Sequence, residues 1–418
     1  MRHAAIVSLG LLITAAAPAD EPPFPPAGDV GIDPAALERL KARAEKAGSD
    51  AVVIVKDGRL VADWTFGRPP GPIEAMSATK SIVALAVGRL IDQGKIRSLD
   101  QPVSDFDPEW RQGRKRRVTI RHLLNHTSGL QNDPHASEIY ASPDFVQFAL
   151  AADLGDDPGA RFAYNNKAVN LLAGVIQKAS GRRMDRYIGE EIFATMGITD
   201  FAWSLDPAGN PHGMAGLRIR ALDLAKVGQM MLDGGTWKGR TVVSAEWIRL
   251  STGGAGQPHD PTCGLLWWLI HGEDGYVIDD AMVADLKEIG LTEASLEEVK
   301  ALKQKRPDRQ GVWADLRPIL REDEVAGRKL KEIDDRIART GRPRPGRVIS
   351  GPIEGFEAQG YRGQYLVVIP EHRIVAVRQL RAPKIEFFKT DDFAEFRRMV
   401  RELAPAGPPT SPPARPSR

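Results

Sequence analysis

Apolar and polar positions alternate at the two ends of this chain and follow helical spacing through its middle. Ala51–Lys56 is apolar and rich in β-branched residues, Asp57-Gly58 follows, and Leu60, Ala62 and Trp64 then alternate with polar or small neighbours. Two such runs around Asp-Gly predict a β-hairpin, because these residues tolerate the left-handed backbone of a tight turn. Upstream, Asp33-Pro34 opens a helix that carries Leu37, Leu40 and Ala44 on one face. Near the other end, Tyr365–Ile369 and Ile374–Leu380 predict two strands around Pro370-Glu371-His372-Arg373. A helix then runs from about Asp391 to Leu403, with Phe393, Phe396, Val400 and Leu403 in one stripe. Residues 106–216 hold helical stretches such as Lys167–Ala179 and Met184–Met196, joined by loops containing Pro and Gly. The fold predicted is α/β (α+β): an antiparallel sheet built from both ends of the chain and flanked by helices, with a mostly helical subdomain at about 106–216.

Residues 272–350 break this pattern. They carry 17 acidic and 16 basic side chains in 79 residues. Leu296, Val299 and Leu302, then Leu330, Ile333 and Ile337, describe two amphipathic helices. A mixed-charge amphipathic helix is most simply a half-exposed surface element. The segment is therefore expected to be a solvated helical insertion, with a lid over an active site or a docking surface as the sharper alternatives.

The termini predict no folded structure. Arg2 and His3 precede an apolar run, Ala4–Ala16, and Ala17-Pro18-Ala19 places small residues at a cleavage site. This is the layout of a secretory signal peptide covering 1–19, and the run is too short to cross a bilayer. A secreted or periplasmic protein with no stable membrane span after cleavage is the expectation. Residues 20–32 read as a lead-in coil and 404–418, rich in Pro, Ala and Ser, as a disordered tail. The chain of 418 residues is 42% hydrophobic and 27% charged, with a formal net charge of +2. That balance gives no electrostatic reason to expect nucleic acid as a partner. The single cysteine, Cys263, has no intrachain disulfide partner and sits in an apolar run that predicts a buried filler.

Candidate chemistry begins at Met76-Ser77-Ala78-Thr79-Lys80, which follows a Gly- and Pro-rich loop and opens a helix of small residues from Ser81 to Leu90. Ser77 and Lys80, three apart, share a helix face. A serine hydroxyl is a poor nucleophile until a base takes its proton, and a desolvated neutral lysine amine is such a base. This is the only Ser-x-x-Lys in the chain. Tyr164-Asn165-Asn166 lies 87 residues beyond Ser77, at the start of another helix; Asn165 or Asn166 also suits an N-cap. Rival chemistries fare worse. His122 and His126 have metal-ligand spacing but no third ligand nearby, and read as structural. No Gly-x-Ser-x-Gly nucleophile elbow and no Walker-type loop occurs. Asp156-Asp157 and Asp279-Asp280 read as solvated turns.

Taken in order, these elements resemble the serine β-lactamase and penicillin-binding-protein superfamily, closest in pattern to its esterase and 6-aminohexanoate-dimer hydrolase branch. Thr119 to Leu130, with the string His-Leu-Leu-Asn-His-Thr-Ser-Gly-Leu, matches closely, as do Leu99-Asp100-Gln101-Pro102-Val103, Gly216-Leu217-Arg218 and Gly234-Gly235-Thr236-Trp237. The resemblance spans about Val53 to Arg378, apart from the insertion. It implies a hydrolase that needs no metal or organic cofactor and acts on a small-molecule or peptide-like acyl substrate. In it, Ser77 is the nucleophile, Lys80 and Tyr164 move its proton, and Asn166 positions the Lys or the substrate. The family's sheet-strand element falls on Ala358-Gln359-Gly360, which makes Gln359, Gly360 and Tyr361 the substrate-side candidates, with the N–H of Tyr361 joining that of Ser77 as an oxyanion hole. The family's usual cation is replaced by Ala358. That departure favours ester or amide substrates over the lactams and D-Ala-D-Ala peptides that the cation helps to hold, with Arg362 as a candidate replacement. A β-lactamase or D-Ala-D-Ala carboxypeptidase is the alternative, and an inactive peptide-binding relative the remote one.

Overall fold

A computed structural model describes residues 22–132, 136–254, 256–302, 304–306, 309–340, 343–381 and 392–404. The signal-peptide and C-terminal-tail expectations lie outside these residues.

The core is a six-stranded antiparallel sheet. Its strands are β1 (Ala51–Lys56), β2 (Arg59–Trp64), β3 (Trp268–Val277), β4 (Gly346–Gly360), β5 (Gln364–Ile369) and β6 (Ile374–Gln379). The spatial order is β2-β1-β6-β5-β4-β3, so strands from both ends of the chain pair at β1–β6, with Val53 opposite Val377. Both hairpins predicted from sequence form. Alternation then divides the side chains between two faces. Val53, Val55, Leu366, Val368, Val375 and Val377 join one core; Val52, Ile54, Tyr365, Val367, Ile369 and Ile374 join the other.

The second core is closed by α1 (Pro34–Lys46), which Asp33 caps by accepting from the Ala35 N–H, and by a short C-terminal helix, Phe396–Arg401. That helix is shorter than the Asp391–Leu403 expected, and Asp391 lies outside the described residues. The aromatic stripe is nevertheless real: Phe393, Phe396, Val400 and Leu403 are fully buried. Packing, rather than helical continuity, sets the pattern there.

The first core holds α2 (Thr79–Asp92), α3 (Asn166–Ser180) and α4 (Ala221–Leu232). Helix α2 is buried on nearly every side, which is why its sequence is small and apolar rather than amphipathic. Where α4 lies on the sheet, a Cβ at Gly228 would come within 2.7 Å of Val375 and Leu366 side-chain atoms. Helix α3 begins at Asn165, whose side chain accepts from the Ala168 N–H, and ends at Gly181 in the left-handed conformation.

The charged excursion differs in extent from the 272–350 read in the sequence. Its two ends are strand: β3 and β4 run on as a two-stranded ribbon to Val277 opposite Gly346. Cross-strand charge pairs such as Arg347 with Asp274, 2.7 Å apart, give these strands a surface-helix composition and hide them from a hydrophobic pattern. Beyond the ribbon, helices Asp280–Ile289, Glu293–Ala301, Arg309–Glu322 and Leu330–Thr340 enclose a separate core that includes Met282, Leu286, Leu296, Val299, Leu316 and Ile333. The side chain of Ile337 lies outside the described residues. From Trp268 the ribbon extends roughly 30 Å before the insertion begins.

Candidate active site

Ser77 sits on a turn. Met76–Ala78 forms one 3-10 turn, and α2 begins only at Thr79. Met76 has φ +48°, a left-handed conformation that costs a side-chain-bearing residue free energy and that the surrounding contacts must hold in place. One such contact is the end of β4. A Cβ at Gly360 would lie 2.3 Å from the Ala75 carbonyl oxygen and 3.1 Å from Met76 Cβ. Only glycine lets the strand end, and therefore Tyr361, approach the Ser77 turn this closely.

Lys80 points back along α2 to the nucleophile. Its Nζ lies 3.0 Å from Ser77 Oγ and donates to the Met214 carbonyl at 2.7 Å. The amine is 3% exposed. Burial drives its pKa below the ordinary lysine value, and the neighbouring Tyr164 hydroxyl pulls the other way. Nζ is 4.9 Å from the Tyr164 ring centroid. Burial that shifts a lysine toward its neutral form suits proton abstraction from a serine.

Tyr164 is held between two rings: His126 at 4.6 Å and Trp268, stacked at 6.2 Å. Its carbonyl accepts from Asn132 Nδ2 at 3.1 Å. His126 accepts the Asn165 N–H on Nδ1 at 3.1 Å. This leaves the ring proton on Nε2. Burial, reinforced by the charge of Lys80, pushes the His126 pKa down to about 3, so the ring is neutral at physiological pH. His122 is separately engaged, its Nδ1 accepting the Thr119 N–H at 3.2 Å in a helix capping box. The two histidines thus serve local structure, but His126 does so inside the candidate site.

A narrow pocket is lined by Ser77, Lys80, Ser81, His126, Tyr164, Cys263, Leu266, Trp267, Trp268 and Gln359, with about 10 Å³ of room for water centres. That is roughly one water molecule's worth. Ser77, Lys80, Tyr164 and Gln359 therefore come together as a group. Gln359 lines the pocket from the end of β4, where it stands opposite Tyr365. Ala358 is fully buried in the nucleophile-side core with Ala75, Ala78 and Ile82. Asn165, not Asn166, caps α3; Asn166 is the first helical residue, is 8% exposed and is not among the pocket-lining residues. Arg362 is also not among them. It is buried, with its guanidinium 5.4 Å from the Tyr361 ring centroid. The replacement cation considered for Ala358 is thus engaged elsewhere. Cys263 lines the pocket, but burial pushes its thiol up to about 12, which leaves it protonated and inert.

Sequence reasoning passed over His126, Trp268 and the Met214 carbonyl. For His126 a signal existed in the His-Thr-Ser-Gly string; a backbone carbonyl leaves none. Two roomier clefts lie elsewhere, of about 330 Å³ beside His271 and Arg397 and about 600 Å³ beside Tyr276 and Arg344. Neither brings together a nucleophile and a base. Among the described residues, none lining the Ser77 pocket comes from 272–350.

Comparisons with known proteins bear on the family and the fold. The 6-aminohexanoate-dimer hydrolase of Paenarthrobacter ureafaciens is 28% identical over 262 residues, which cover 57% of this chain and 66% of the relative. The chain spans between 38% and 66% of the length of the first curated relatives it matches. Among solved structures, a Bacillus anthracis protein provisionally named 6-aminohexanoate-dimer hydrolase superposes with TM-score 0.61 at 17% identity, covering 91% of this chain and 87% of the other. A penicillin-binding protein from Bacillus halodurans gives TM-score 0.54 at 15% identity, with 87% and 98% covered. These structures establish the shared fold. The profile of the Beta-lactamase family matches residues 36–395, and the chain belongs to that family.

Proposed function

We propose that this protein is a secreted serine hydrolase that cleaves an ester or amide through an acyl-enzyme on Ser77. The observation that carries the reading is the buried, pKa-lowered Lys80 amine 3.0 Å from Ser77 Oγ. Lys80, with Tyr164, takes the Ser77 proton as Oγ attacks the acyl carbonyl. The developing oxyanion is held in this proposal by the backbone N–H groups of Ser77 and Tyr361, a reading supported by the close approach of Gly360 to the Ala75-Met76 backbone. The proton then passes to the leaving oxygen or nitrogen, the alcohol or amine departs, and water attacks the acyl-Ser77 ester, with the same two side chains as base. Asn166 keeps a substrate-side role in this proposal only through its place at the start of α3.

The substrate class follows from what surrounds Ser77. Tyr164, Trp268 and His126 present aromatic surface, and Ala358 is buried where a relative would hold a cation. That lining suits a neutral acyl group better than one bearing a carboxylate. The relative named 6-aminohexanoate-dimer hydrolase, whose named substrate is joined by an amide, supports the amide part of the reading. A β-lactamase or D-Ala-D-Ala carboxypeptidase is the alternative. Side-by-side turnover decides between them: p-nitrophenyl acyl esters are expected to react much faster than nitrocefin, and the reverse order would reject the esterase/amidase reading. Export belongs to the same proposal and rests on the 1–19 pattern. Expressed with its leader, the mature protein is expected to begin at Asp20; an intact Met1 start would oppose export.

A further inference from the structure

We propose that Asn170 is a positioning residue that sets the general base, acting through the backbone of the Gly213-Met214 loop. The proposal rests on the serine-hydrolase reading above and adds to it the part that fixes the direction of the Lys80 lone pair.

Asn170 lies in α3, six residues beyond Tyr164, and is 1% exposed. Its Oδ1 accepts two backbone N–H groups, from Gly213 at 2.9 Å and Met214 at 3.0 Å. Met214 is the residue whose carbonyl accepts from Lys80 Nζ at 2.7 Å. One side-chain oxygen therefore links the helix that begins beside Tyr164 to the acceptor that holds the base.

The chemistry explains why this link matters. A neutral lysine amine has two N–H bonds and one lone pair. To take the Ser77 proton, the lone pair must face Oγ, so an N–H must be held elsewhere. The Met214 carbonyl holds it. That carbonyl belongs to a loop, and a loop peptide left to itself reorients readily. Asn170 pins the N–H groups just before it.

Two further observations show that the contact is built rather than incidental. A Cβ at Gly213 would lie 2.3 Å from the Val169 carbonyl oxygen and 3.1 Å from Asn170 Cα, so only glycine lets this loop lie on the backbone of α3. Among the described residues, Asn170 Nδ2 is buried without a hydrogen-bond partner. A leucine would fill the same space without burying an unpaired amide group. The asparagine is accounted for by its oxygen.

The test uses the full-length secreted protein and an ester substrate, with active sites counted by fluorophosphonate titration. Asn170→Leu removes the acceptor. It is expected to lower kcat about a hundredfold per titrated site, the scale of a misplaced catalytic group, and to leave KM within about twofold. The acid limb of kcat/KM should move to lower pH, because the ammonium form of Lys80 loses a well-placed carbonyl. Asn170→Asp keeps an acceptor for both N–H groups and adds negative charge near Lys80, so its acid limb should move to higher pH. Gly213→Ala, which lifts the loop off the α3 backbone while keeping the asparagine side chain, should reproduce the Asn170→Leu profile. A folded Asn170→Leu with wild-type kcat and pH profile would overturn the proposal, as would an Asn170→Asp limb that stays in place. Should Asn170→Leu fail to fold, the direction of the Asn170→Asp shift decides. If wild type itself is not labelled, or Ser77→Ala is labelled equally, the hydrolase reading fails instead.

Discussion

Lys80 and Lys300 occupy opposite environments, and the contrast between their two regions separates a buried amine from a solvated one. Lys300 stands on the surface of the insertion, 2.6 Å from Glu297, and that hydrogen bond raises its pKa. It is a solvated ammonium whose pairing contributes little to stability. Lys80 is buried against Ser77, Met214 and Tyr164, and burial lowers its pKa. The insertion repeats the first pattern: Lys287 with Glu293 and Arg336 with Glu288 are likewise exposed pairs around a separate apolar core. Polar side chains in the nucleophile region are instead buried and hold specific backbone partners, as at His126, Asn165 and Asn170. Charge count alone draws attention to the insertion; burial of polar groups draws it to the Ser77 pocket.

The contrast breaks most sharply by removing each lysine. Lys80→Ala is expected to lower kcat/KM by about a thousandfold, within the range for loss of a positioned base, while Lys300→Ala leaves it unchanged within about twofold. In wild type the neutral amine is the active form, so kcat/KM should rise with pH through a limb lying below the ordinary lysine value of 10.5. A Lys80→Ala enzyme that retains full activity would remove the base from the mechanism.

A smaller effect concerns stability. The folded state keeps His126 neutral down to about pH 3, whereas the unfolded chain takes up a proton near 6.5. Below 6.5 the unfolded state therefore binds more protons, and stability falls as the pH drops toward 3, by up to about 1.4 kcal/mol per pH unit. His126→Gln should flatten that slope relative to wild type. Urea midpoints at pH 7 and pH 5 measure it, and parallel losses in both proteins would contradict the account.

The smallest effect is expected at the insertion. Val277 and Gly346 face each other across the ribbon, so replacing 278–345 with Asn-Gly should close it as a hairpin and leave kcat/KM within about threefold. A large loss would mean that the insertion supports the site from a distance.

Much of the fold was legible because the sheet's alternation and the Asp-Gly turn are short-range signals. One sheet built from both ends of the chain followed as the simplest closure; that β1 and β6 are the strands that meet is seen only in the structure. The ribbon was not legible, since ion pairs such as Arg347 with Asp274 make strands look like a solvated helix. At the site, Ser77, Lys80 and Tyr164 could be picked out because their residue types and spacing carry the chemistry. Asn170 could not: an asparagine inside an apolar helix looks like a flaw until the loop that folds onto it is seen. Asn166 shows the reverse, a residue named by motif position whose neighbour, Asn165, makes the visible contacts.

The central claim is that Ser77 is an activated nucleophile, and intact-mass analysis after exposure to a fluorophosphonate tests it most directly. The account predicts one adduct per wild-type molecule, mapped to Ser77, and none on Ser77→Ala. An unlabelled wild type, or equal labelling of Ser77→Ala, would contradict it.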